Sequence, residues 1–161
     1  MRICIKPRHR WGFLTYTATI EGHTSVIRQS SWGIGQDHKE WCLQWQNGCN
    51  LYVRIPSFRP LIQPVWTIAL DAEVICLGML RQTFLPSRAN GIYWKCGDET
   101  LFDGTLPRLR IYHALRNETG ALFACWNPVC YGARGVIRPR LSDVTKAAVF
   151  GIIATTVLSS P

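Results

Sequence analysis

Acidic residues are scarce in this chain. Ten Asp and Glu stand against eighteen Lys and Arg among 161 residues, leaving a formal charge of +8. The few carboxylates are scattered, so no pair presents itself as a general acid and base. Only four histidines occur, His9, His23, His38 and His113, and none has metal-ligand spacing. There is no phosphate-cradling glycine loop, no dinucleotide fingerprint, no zincin helix and no nucleophile elbow. These absences predict a protein without catalysis and without a cofactor. A continuous apolar run is missing too. No segment reaches the roughly 18–20 residues that a membrane-crossing helix requires. The first ten residues, MRICIKPRHR, are basic and lack the apolar core of a signal peptide. Read as a true start, they predict a cytoplasmic chain.

What is abundant is cysteine and tryptophan, seven of each. Cysteine at this density is typical of oxidising compartments. Cys42, Cys49, Cys76, Cys96, Cys125 and Cys130 are candidate disulfide partners, and Cys42/Cys49 and Cys125/Cys130 are spaced to close small loops. The alternative is a set of buried thiols. Asn117-Glu118-Thr119 is an N-glycosylation acceptor sequence with Asn117 as the modified residue. Trp32, Trp41 and Trp45 crowd around Cys42. They read either as core aromatics or as stacking platforms for single-stranded nucleic acid.

Periodicity predicts a mainly β, loop-rich, disulfide-bearing body. Residues 11–20 alternate strictly, with Leu14, Tyr16, Ala18 and Ile20 on one face and threonines on the other. Glu21-Gly22 is the turn that ends this strand. Further strands are expected at 51–55, 65–70, 74–77, 91–96, 108–115 and 120–125. Residues 30–36 read as a loop, and Pro56, Pro60 and Pro64 exclude a helix or a central strand across their stretch. The last fifteen residues, 147–161, carry no charge. A short C-terminal apolar helix or strand is expected here, capped by Ser142 or Asp143. The predicted division is a β-rich domain over 1–141 and an apolar tail over 142–161. A tail of this composition is costly to leave in water, so it is buried in the protein's own core, held by a partner or inserted in lipid.

The stretch 90–107, NGIYWKCGDETLFDGTLP, resembles the C-terminal part of the surface subunit of retrovirus-like envelope glycoproteins, through Gly91, Ile92, Tyr93, Trp94, Cys96, Gly97 and Leu106-Pro107. The order downstream is similar as well: an acceptor at Asn117, two cysteines, a basic patch of Arg134, Arg138 and Arg140, then an apolar segment. The resemblance implies that Ala147, Ala148, Val149, Phe150, Gly151, Ile152, Ile153 and Ala154 form a fusion-peptide-like element. It further implies receptor attachment or membrane fusion, a host receptor or membrane lipid as partner, and a trimer with a transmembrane subunit. It places the chain on a virion, on a cell surface or in the secretory pathway, as a fragment or decayed copy of a longer precursor. The charge balance alone supports a different reading. This is a small basic module that binds nucleic acid or another anionic partner, or an open reading frame without selected function.

Overall fold

A computed structural model describes residues 1–10, 13–31, 38–57, 63–80, 92–106, 109–129 and 131–159. Twelve strands run in order: β1 (Arg2–Arg10), β2 (Phe13–Ile20), β3 (His23–Ser31), β4 (His38–Gln44), β5 (Asn50–Pro56), β6 (Val65–Leu70), β7 (Glu73–Leu80), β8 (Ile92–Cys96), β9 (Glu99–Leu106), β10 (Leu109–Asn117), β11 (Leu122–Val129) and β12 (Gly132–Ile137). A 3-10 turn at Gln46–Gly48 joins β4 to β5, and the described residues hold one α-helix, α1 (Asp143–Leu158). The protein is mainly β, as its periodicity predicts, and the apolar C-terminal segment, expected as helix or strand, is a helix.

Each strand pairs antiparallel with its sequence neighbour, and β1 pairs with β12 to close a barrel. The closing register sets Arg2 opposite Val136 and Ile5 opposite Ala133. Closure removes both sheet edges, and with them the exposed ladder groups that invite aggregation. Tight turns with left-handed residues make several of the hairpins. Glu21 (φ 48°) and Gly22 (φ 84°) reverse the chain between β2 and β3, matching the sequence signal there.

Alternation sorts the wall. Tyr16, Ala18 and Ile20 of β2 and Leu51, Val53 and Ile55 of β5 point inward and are buried. The five described tryptophans, Trp41, Trp45, Trp66, Trp94 and Trp126, are all buried too. The core reading of Trp41 and Trp45 therefore holds over the stacking-platform reading, while Trp32 lies outside the described residues. Pro56 ends β5 and Pro64 immediately precedes β6, so both bound strands rather than interrupting them. Most of the 30–36 stretch lies outside the described residues, and its first two residues complete β3.

The barrel is filled by α1. Eleven of its sixteen residues are buried, on every side of the helix. A helix apolar all round has no solvent face and must lie inside its protein. Ser142 caps it, its Oγ accepting from the Thr145 backbone N–H at 3.2 Å, and Asp143 complements the dipole of the first turn. Deeper in, the Thr155 and Thr156 hydroxyls donate to the Ile152 and Ile153 carbonyls at 2.7 Å, so neither is left unsatisfied in the apolar lumen. Strand and helix residues form a single core cluster. The boundary expected at 141/142 therefore does not separate two cores. Ala147 through Ala154, expected as a membrane-directed element, are all buried inside the barrel. No helix among the described residues is long and apolar enough to cross a membrane.

Candidate anion-binding face

Charge is divided unevenly around the wall. Strands β3, β2, β1, β12, β11 and β10 are consecutive neighbours and make half the barrel. Their sequences hold eight Lys or Arg and no Asp or Glu. The other six strands hold three Lys or Arg and four Asp or Glu. Arg2, Lys6 and Arg8 alternate with inward Ile3 and Ile5 along β1, and all three are exposed. Arg134 on β12 is exposed and lies opposite Cys4. Arg2 and Lys6 are then its diagonal neighbours, about 7–8 Å away at the backbone. A shallow groove runs between Arg2 and Arg134, lined also by Cys4, Thr19, Gly22 and Gly135. Gly135 is required by packing, since a β-carbon there would lie 2.5 Å from the Cys125 carbonyl oxygen.

The mixed half of the wall neutralises much of its own charge. The Arg54 Nε donates to the Glu40 carboxylate at 2.5 Å and the Ser30 hydroxyl donates to it at 2.8 Å. Burial pushes the Glu40 carboxyl up, but these hydrogen bonds and the charge of Arg54 outweigh it and hold the group below its ordinary range. Arg2 has one carboxylate beside it, that of Glu21 in the β2–β3 turn, which accepts from the Arg2 backbone N–H, whereas the strands that flank Lys6, Arg8 and Arg134 carry none. Of the expected basic patch, Arg134 belongs to this face. Arg138 and Arg140 are exposed in the link between β12 and α1.

A second titratable group lies inside one end of the barrel. His113 of β10 points inward, with its ring stacked on Trp126 at 5.2 Å and 15°. Its Nδ1 is 3.4 Å from Asp103 Oδ1 on β9. Asp103 raises the imidazole above its ordinary value by this hydrogen bond, against a smaller opposing effect of burial. No nucleophile stands beside the pair among these contacts, and no cluster of three or more His, Cys, Asp or Glu able to hold a metal occurs among the described residues.

The cysteines divide differently from expectation. Cys76 and Cys96 form a disulfide across β7 and β8, their Cα atoms 4.3 Å apart and both side chains inward. Cys42, Cys49 and Cys125 are free thiols, which corrects their expected role as disulfide partners. The cause is strand geometry. Gln44 pairs with Asn50, so Cys49 comes level with Trp45, and Cys42 lies three residues further along β4. That is about 10 Å at 3.3 Å per residue, beyond the reach of a disulfide. Cys130 lies outside the described residues. In the 90–107 motif, Trp94 covers Gly78 across the β7–β8 ladder and Cys96 supplies the disulfide. Gly97 (φ 59°) opens the turn into β9. Within the described residues the motif is thus a barrel hairpin. Gly91 and Pro107 lie outside them.

The chain matches no protein-family model, and no curated protein or solved structure matches it. The class that the fold defines is a closed twelve-stranded antiparallel barrel plugged by its own C-terminal helix.

Proposed function

We propose that the protein is a non-catalytic binding module that holds an anionic partner on the outer face of β1 and β12. The observation that carries this reading is the half of the wall whose six strands hold no carboxylate, with Lys6, Arg8 and Arg134 exposed on it beside Arg2. A one-signed surface raises the local concentration of an oppositely charged partner and speeds its association. The segment that a fusion role would send into lipid is the filling of the barrel in this fold, which favours the outer wall as the binding surface. Nucleic-acid binding by base stacking has lost its platforms at Trp41 and Trp45, which are buried. The face therefore suits recognition of charge rather than of bases.

The test is binding of the full chain to three polyanion probes, a sulfated polysaccharide, a single-stranded oligonucleotide and phosphatidylserine vesicles, across a salt series. The expected result is binding that weakens steeply with salt and falls at least tenfold in Lys6→Glu/Arg134→Glu. Equal loss in a control reversal at Lys95, on the mixed half, would remove the face from the argument. So would no binding to any probe at low salt.

A further inference from the structure

We propose that Asn117 is an N-glycan acceptor, presented ready for modification by the β10–β11 hairpin, and that the chain matures in an oxidising secretory lumen. The triplet Asn117-Glu118-Thr119 is the only acceptor sequence in the chain. It forms the hairpin tip, where Glu118, Thr119 and Gly120 are exposed. The tip stands at the end of the barrel that also holds the β2–β3 turn.

The geometry of the tip orients the acceptor amide. Asn117 Oδ1 accepts three hydrogen bonds, from the Thr119 backbone N–H at 3.1 Å, the Thr119 hydroxyl at 2.8 Å and the Ala121 backbone N–H at 2.9 Å. The backbone closes the turn around it, with Asn117 N–H donating to Ala121 and Gly120 N–H donating to Asn117. Gly120 takes a left-handed φ of 84°, which the reversal requires. The oxygen is thus fully engaged inward. The nitrogen, Nδ2, has one described contact, a donation to Glu99 at 3.3 Å. An amide nitrogen carries two hydrogens, so one remains for replacement.

Transfer to Nδ2 uses a polyprenyl-pyrophosphate-linked oligosaccharide as co-reactant. The new bond joins Nδ2 to the anomeric carbon of the first sugar. The anomeric C–O bond breaks, and the pyrophosphate leaves with its electron pair. The displaced Nδ2 proton goes to a base of the transferase. The remaining Nδ2 hydrogen and all three bonds to Oδ1 survive, so the modified residue keeps its place in the turn. An independent feature points to the same compartment: the barrel encloses the Cys76–Cys96 disulfide, a bond that persists in oxidising surroundings.

The experiment expresses the full chain behind a cleavable secretory leader in a eukaryotic cell, with leader removal confirming entry to the lumen. Mass is compared before and after N-glycosidase treatment, in both secreted and retained material. The expected result is a single N-glycosidase-sensitive glycan, absent from Asn117→Gln and from Thr119→Ala and retained in Thr119→Ser. Thr119→Ala keeps the Asn117 side chain in the turn, so its loss of the glycan does not depend on unfolding. An unshifted wild-type chain whose leader has been removed overturns the proposal, and the Oδ1 bonds are then a hairpin clamp only. A shift that persists in Asn117→Gln overturns it as well.

Discussion

Gly151, midway along the buried helix, lies against Ile68 of β6 so closely that a β-carbon on it would stand 2.7 Å from Ile68 Cγ2. Glycine lowers helix propensity by about 1 kcal/mol relative to alanine, and at this position that loss is exchanged for close approach of helix and wall. Gly151→Ala should recover the propensity and still destabilise the protein, because overpacking a filled core costs about 1–3 kcal/mol. Gly151→Val should cost more. The deciding measurement is a double-mutant cycle with Ile68→Val in urea unfolding. Trimming Ile68 should reduce the penalty of Gly151→Ala. Strict additivity would mean that the two residues do not compete for the same space.

The helix is the barrel's interior, so its removal should abolish folding. Truncation after Ser142 takes away Phe150, which packs on Trp45 at 5.2 Å, with Val149, Ile152, Ile153, Val157 and Leu158, all buried. Burial of each such side chain contributes roughly 1.5–3 kcal/mol, against a net stability of about 5–15 kcal/mol for a typical domain. The truncated chain should lose its near-UV circular dichroism and its cooperative melt. Phe150→Ala in the full chain should cost about 3–5 kcal/mol. A truncated barrel that melts cooperatively near the full-length temperature, together with liposome binding by the intact chain, would return the tail to a membrane role.

The wall was legible where alternation was clean. Tyr16, Ala18 and Ile20, and Leu51, Val53 and Ile55, announce their buried faces by period two, and Glu21-Gly22 announces its turn. Strand β1 escaped because its basic residues Arg2, Lys6 and Arg8 drew the reading to charge and to the missing apolar core of a signal peptide, although Ile3 and Ile5 alternate with them. Strand β12 escaped because Gly132 and Gly135 replace side chains where neighbouring strands press close. The tail was legible as an apolar element with a cap at Ser142 or Asp143, but helix and strand stayed open, because Gly151 and its β-branched residues weaken a helix. Its destination was not legible, because an all-round apolar helix satisfies a barrel lumen and a lipid surface equally. The cationic face was the least legible. Its residues are spread from Arg2 to Arg134 in sequence, and only the closing β1–β12 register unites them.

The Cys76–Cys96 bond should contribute measurably to stability. The cysteines are twenty residues apart, and constraint of a loop near that length in the unfolded chain is worth about 3 kcal/mol. Replacement of both by alanine avoids leaving a buried hydroxyl. The double variant should melt roughly 6–12 °C lower at the usual 2–4 °C per kcal/mol for a chain of this size. Reduction of the wild type should reproduce that fall. A melting temperature unmoved by dithiothreitol would show that the wall holds β7 and β8 together without the bond.

His113 gives the fold a pH dependence of predictable sign. Asp103 holds its proton by a hydrogen bond across β9 and β10, and Trp126 on β11 offers its ring face to the charged imidazole. The folded value is raised above that of the unfolded chain, with burial opposing but not cancelling the effect. The protonated pair therefore contributes its full stabilisation below the unfolded histidine value, about 6.5. That contribution is lost as pH rises through the higher folded value. Urea midpoints measured from mildly acidic to mildly alkaline pH should fall across this window in the wild type and lose that component in Asp103→Asn. Following the imidazole directly by NMR separates this group from other titrations. Its midpoint should lie above the unfolded reference in the wild type and move down in Asp103→Asn. An unchanged midpoint would mean that Asp103 does not hold the proton.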